Sequence, residues 1–165
     1  MKSYWLFIRA LYVALFITMP GILLSMDPIS PATENLHKFE QQIRQNVDYE
    51  RSSKHIPPLN WNEQLALEAR RHARNIAARG FFAHEDPVRG DIDRRLDASG
   101  IGWHRCAENI YAGNASGLAE EAVTAWRLSP GHCKIMLDSM LSETGVGIAV
   151  KNDGTIIVVQ EFIWR

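Results

Sequence analysis

Two β-branched runs close this chain, Val146 to Val150 and Thr155 to Phe162, and the residues between them, Lys151-Asn152-Asp153-Gly154, suit a tight reversal. Two antiparallel strands are therefore expected at the C-terminal end, and they constrain the fold because the earlier part of the chain reads mainly as helix. Leu36, Phe39, Ile43 and Val47 recur at helical spacing among polar neighbours, with Ser30 and Pro31 suited to the N-cap and the first helical position. From Asn62 to about Ala78, the residues Leu65, Ala69, His72, Ala73, Ile76 and Ala77 share one side, with Glu63, Arg70, Arg71 and Arg74 elsewhere. Helices first and strands last define an α+β chain, its helices packed on an antiparallel sheet. At 165 residues it has the length for one domain with a real core, and is too short for two comfortable ones.

Gly80 supplies a position tolerant of positive φ and stops the second helix, which leaves Phe81, Phe82 and His84 in the following loop. Residues 91–98 read as a short helix stopped near Gly100, and 101–112 are mixed, with Glu108 on an extended or irregular stretch. Leu118 to Leu128 is helical by propensity and spacing. Ser129 and Pro130 then offer a second N-cap and first-turn pair, placing His132 in the first turn of a helix that runs to about Leu137. On this reading Ser129 is a capping hydroxyl rather than a nucleophile. His72 reads as a satisfied core residue, and Glu85 and Asp86, two adjacent acids before Pro87, as a solvated turn, with contact to a site rim or a metal beside His84 as the alternative.

Lys2 and Arg9 precede an apolar stretch from Ala10 to Leu24, the order of a secretory signal. Residues 1–25 are thus expected to be a signal peptide or an N-terminal membrane anchor, 26–32 a linker and 33–165 the folded domain. Between cleavage and retention the sequence leaves both open: no clean small-x-small triplet stands near Ser25, while Arg9 shortens the run below the ~20 residues that span a bilayer comfortably. A secreted or extracytoplasmic location is expected either way. A net charge of −1 with both signs mixed gives no argument for nucleic acid or an anionic membrane surface. Cys106 and Cys133 form an even pair, permissive for a disulfide in an exported protein and equally compatible with two buried thiols.

Three groups able to bind a metal or move a proton stand in recognisable frames: His84 in Phe-Phe-Ala-His, Glu108 in Ala-Glu-Asn-Ile and His132 in Ser-Pro-Gly-His. Read in order with Leu59-Asn60-Trp61-Asn62, Trp126 and Val159-Gln160-Glu161-Phe162, these segments resemble the bacterial branch of the CAP superfamily, or SCP domain, over residues 33 to 165. The resemblance implies an α-β-α sandwich around a sheet of three or four strands. It also implies a cleft in which His84 and His132 match the family's two histidines and Glu108 its Glu-Asn glutamate, with Asn109 and Ser129 beside them. The family's second glutamate falls at Ser129, so the tetrad is incomplete.

Zinc or another divalent cation, held by His84 and His132, is the one cofactor the resemblance implies, and two protein ligands make a weak site. A retained Glu108 could serve as base in a metal-assisted hydrolase acting on peptide or envelope polymer. Neither a His-Glu-x-x-His helix nor a Gly-x-Ser-x-Gly elbow is present to support that version. The expectation is a monomeric exported binding or interaction module for an unidentified ligand or envelope component. Lipid or sterol, a hydrolase activity and a purely structural envelope role stand as its alternatives.

Overall fold

The computed structural model describes residues 31–114 and 116–165, with side chains from Asn35 onward. The expected export segment and most of the linker lie outside the described residues. In chain order the elements are α1 (Pro31–Ser52), β1 (Asn60–Trp61), α2 (Glu63–Arg79), α3 (Ile92–Ala98), β2 (Arg105–Gly113), α4 (Leu118–Leu128), α5 (Pro130–Met136), β3 (Glu143–Val150) and β4 (Ile156–Trp164). Helix α1 opens at Pro31, two residues before the domain start expected at 33. No helix among the described residues is long and apolar enough to cross a membrane.

The strands form one sheet in the order β1-β3-β4-β2. β3 and β4 are the expected antiparallel hairpin, and β2 adds antiparallel to β4 from Arg105 opposite Trp164 to Gly113 opposite Ile156. The sheet is not wholly antiparallel, because the two-residue β1 pairs with β3 in parallel. So short a strand, ending where Asn62 caps α2, carries no periodicity for a sequence reading to detect.

Alternation along β4 divides the interior. Ile156, Val158 and Phe162 join the core formed with α1, α4 and α5, where Trp126 and Met136 are fully buried. Ile157, Val159 and Ile163 face α2 and α3. The result is the α-β-α sandwich. Helix α2 starts at Asn62, whose side chain accepts from the Leu65 amide, and ends on Gly80 at φ 72°. It lies unusually close to β3, since a Cβ at Gly145 would stand 2.1 Å from the Ala66 nitrogen and one at Gly147 2.0 Å from the Arg70 nitrogen. Both glycines are therefore required by approach of backbone to backbone, and they set the height of α2 above the sheet. At the other end of the domain, buried Arg51 donates to the carbonyls of Pro57, Met136, Asp138 and Leu141, tying the end of α1 to the segment that leads into β3.

Candidate functional site

The site is built at β2, the edge strand of the sheet, from two adjacent residues that alternation sends to opposite faces. Glu108 points to the α2/α3 side and Asn109 to the α4/α5 side. His84, on the loop after α2, donates from Nδ1 to Glu108 Oε1 at 2.8 Å, the carboxylate being able only to accept. Asn109, fully buried, donates from Nδ2 to the backbone carbonyl of His132 at 3.2 Å and so pins the first turn of α5. One dipeptide thus orients the His84 ring in one layer and anchors the backbone of His132 in the other, and the two imidazoles lie across the sheet edge with ring centroids 6.3 Å apart.

Beneath the histidines lies a buried charge cluster that the sequence did not flag. The register places Glu108 directly opposite Glu161 on β4, two buried carboxyls side by side. Like charges in that position repel, and Arg95 of α3, fully buried, resolves the conflict. Its guanidinium donates to Glu108 Oε2 at 2.5 Å and Glu161 Oε1 at 3.2 Å, and also to the carbonyls of His84 and Gly90 at 2.8 and 3.1 Å. Burial, reinforced by the charge of Glu108, pushes the pKa of Glu161 well above the usual carboxylate range. Glu108 has one oxygen on His84 and the other on Arg95.

The rest of the cluster corrects a sequence expectation. His72 is buried as expected, with the Ala83 backbone beside its ring and its Nδ1 and Nε2 3.9 Å from Asp86 and 3.8 Å from Glu108. Burial holds His72 below the ordinary imidazole value. Asp86 does not sit in a solvated turn; it is 1 % exposed and accepts from the amides of Val88 and Arg89 and from Asn75 Nδ2. Burial pushes Asp86 up, but these donors outweigh it and leave its pKa lowered. The loop carrying His84 is thereby fastened by Asp86 at one point and by Arg95 at two carbonyls.

On the opposite side of β2 a recess of about 320 Å³ runs along Ile110, Tyr111 and Ala112, walled by Phe82, Ala125 and Trp126 and reaching Ser129 and His132. The Trp126 indole donates to the Ile110 carbonyl at 3.0 Å, fixing the recess floor. Burial, and then the nearby charge of His84, lowers the pKa of His132. Ser129 occupies the N-cap position of α5, but its side chain makes no capping hydrogen bond, contrary to the expectation that this hydroxyl is engaged.

Cys106 and Cys133 are both free thiols. Cys106 packs on the α2/α3 side with Leu96 and Ile163, whereas Cys133 belongs to α5 on the other side, so alternation along β2 separates the pair expected as a disulfide candidate. Burial and the nearby Asp93 and Glu161 carboxyls push the Cys106 thiol up to about 11.

As for a metal, no group of three or more His, Cys, Asp and Glu side chains among the described residues is arranged to hold an ion. Glu108 has both oxygens occupied, which leaves two imidazoles, His84 through its free Nε2 and His132. That is one fewer protein ligand than a catalytic zinc normally has.

This α-β-α architecture, with two histidines facing each other at the sheet edge, is that of an SCP-type domain. The chain belongs to the CAP, or cysteine-rich secretory protein, family, whose model matches residues 44–162. It is 28 % identical over 134 residues to an uncharacterized protein, YkwD, of Bacillus subtilis, covering 81 % of this chain and 50 % of that one. It therefore spans only about half the length of that relative. Among solved structures, an extracellular SCP-domain protein of Bacillus anthracis superposes with a TM-score of 0.72 at 28 % identity, over 84 % of this chain and 45 % of that one. An outer surface protein of Borrelia burgdorferi shares the fold at a TM-score of 0.71 and 16 % identity, over 78 % of this chain and 93 % of that one. These matches place the chain with the bacterial SCP-domain proteins.

Proposed function

We propose that this is an exported SCP-domain binding module, which recognises a ligand or envelope component in the cleft between His84 and His132 without turning it over. The observation that carries this reading is the commitment of Glu108. A general base must be free to take a proton, and this carboxylate is 4 % exposed with Arg95 on one oxygen and His84 on the other. Its role is orientation. One imidazole held by Glu108, a second on the anchored first turn of α5, and an apolar recess at the small end of ligand-pocket size suit one polar group flanked by a ring or short aliphatic group of a larger ligand. A section of a lipid, a sterol or an envelope polymer has that character. Export is supported by the apolar stretch behind Lys2 and Arg9 and by the extracellular description of the Bacillus anthracis protein.

A divalent ion taken up here would have His84 and His132 as its protein ligands and would supply Lewis acidity at coordination positions left open. The chain's own residues serve binding without it, because Glu108 holds the His84 ring and Asn109 holds the backbone of His132 by direct hydrogen bonds. Turnover and ligand retention together test the proposal. Native mass spectrometry of the full-length chain purified from its host is expected to show a retained ligand that Phe82→Ala and His132→Ala both lose. Release of fragments from casein or from purified cell-wall polymer, abolished by His84→Ala in a folded protein, would replace binding with hydrolysis.

A further inference from the structure

We propose that the cleft between His84 and His132 binds an uncharged sugar residue of a glycan chain, an assignment of ligand class that rests on the binding reading above. The hydrogen bond made by His84 sets the first requirement. Its Nδ1 donates to Glu108 Oε1, so in the neutral ring Nε2 carries a lone pair and must be met by a donor. Glu108 thereby dictates both where the ring stands and which kind of ligand atom it takes.

The recess beside it sets the second. Ser129 and His132 line it, and neither the Ser129 hydroxyl nor the His132 ring has a hydrogen-bond partner among the described residues. No Asp, Glu, Lys or Arg side chain lines the recess, whose other walls are apolar or aromatic. Phe82, on the same loop as His84, is 54 % exposed and offers an aromatic surface at the rim.

Ligand chemistries separate on these points. An anion only accepts hydrogen bonds and would set its own lone pairs against that of His84 Nε2; an ammonium group only donates, and its charge would lie against walls that hold no counter-charge. A fatty acid or a sterol brings one polar group to a site in which His84 Nε2, the Ser129 hydroxyl and the His132 ring all await partners. A pyranose brings several adjacent hydroxyls, each both donor and acceptor, together with an apolar C–H face to lie on Phe82. A recess of about 320 Å³ has room for one such residue, with the rest of the glycan outside it.

The experiment is saturation-transfer NMR on the full-length chain, in EDTA, with cellotriose, maltotriose and chitotriose, against trigalacturonate and the glucosamine trimer as anionic and cationic counterparts of the same size. At least one neutral sugar is expected to bind, about tenfold more tightly than either charged trimer. Its per-O-methylated form, which keeps the acceptors and loses the hydroxyl donors, should not bind. Phe82→Ala, at an exposed position, should weaken binding about tenfold, and Ser129→Ala about threefold to tenfold. Absence of saturation transfer to all three sugars, equal binding of a charged trimer, or binding that survives methylation or both substitutions would overturn the proposal. So would a preference for the uncharged peptide acetyl-Ala-Asn-Ala-amide, which marks a peptide site. A chain that ignores the sugars yet retains a lipid in its native mass spectrum refutes the sugar assignment and leaves the binding reading intact, whereas cleavage of a bound trisaccharide refutes binding without turnover and leaves the sugar assignment standing.

Discussion

Arg95→Met is the sharpest test of how the cleft is held. The guanidinium is fully buried and makes four hydrogen bonds, two to carboxyl oxygens and two to loop carbonyls. Methionine fills much of the space and donates nothing. Glu108 is then a buried anion with His84 as its remaining donor, and removing one partner of a buried ion pair costs about 3–5 kcal/mol. The two carbonyls add to that unless water reaches them. A net loss of about 4 kcal/mol lowers the melting temperature of a domain this size by about 15 °C. Glu108→Gln in the same chain removes the stranded charge, so the double variant should recover about 2 kcal/mol relative to the sum of the single changes. Urea unfolding followed by tryptophan fluorescence measures all four proteins. A loss below about 1 kcal/mol for Arg95→Met, or strict additivity in the double variant, would show that Arg95 is not what makes burial of Glu108 tolerable.

Other expectations follow from the same structure. Glu161 has a folded-state pKa raised above its unfolded value, so its contribution to stability is present below about pH 4.5 and is lost as pH rises through the folded value. Glu161→Gln should therefore narrow the difference between melting temperatures at pH 5 and pH 8, chiefly by raising the latter; an unchanged difference refutes the assignment. Gly147→Ala places a methyl 2.0 Å from the Arg70 nitrogen and should cost about 3 kcal/mol or more, whereas Gly102→Ala, with nothing within 4 Å, should change stability by about 0.5 kcal/mol or less in the same denaturant melts. His55 has φ 60° just past the end of α1, where the Ile56 amide bonds back to the Arg51 carbonyl, so His55→Gly should raise stability by up to about 1 kcal/mol in thermal melts.

What could be read from the sequence depended on whether the determining interactions are local. Helix α2 was legible because Asn62, the apolar stripe and Gly80 each act within a turn or two of their own position. The C-terminal hairpin was legible for the same reason. β2 was not recognised as a long strand, because Glu108 and Asn109 put two buried polar residues in its middle and erase the alternation of apolar and polar. Arg95 carried no signal, because a charged residue in a short amphipathic helix reads as solvated, and Glu161, although part of a segment that carries the family resemblance, gave no hint of its buried partner 66 positions away. Asp86 was misread because an acid before a proline is usually a surface turn, and only the folded loop shows it facing inward. The cysteines illustrate the limit of sequence proximity, since nearness to Glu108 and His132 said nothing about which side of β2 each sulfur would occupy.

The meeting of the two histidines depends on a parity. Glu108 and Asn109 work as a pair because odd and even positions of β2 belong to different layers, and pairing with β4 fixes which is which. An insertion of a single residue within β2 between Arg105 and Glu108, with Arg105 still opposite Trp164, would exchange their layers, presenting the carboxylate to α5 and the amide to Arg95. Two inserted residues would restore the assignment. The loop leading into β2 is free to vary in length, whereas between Arg105 and Glu108 the paired strand accepts added residues only in even steps, a rule that no inventory of side chains would reveal.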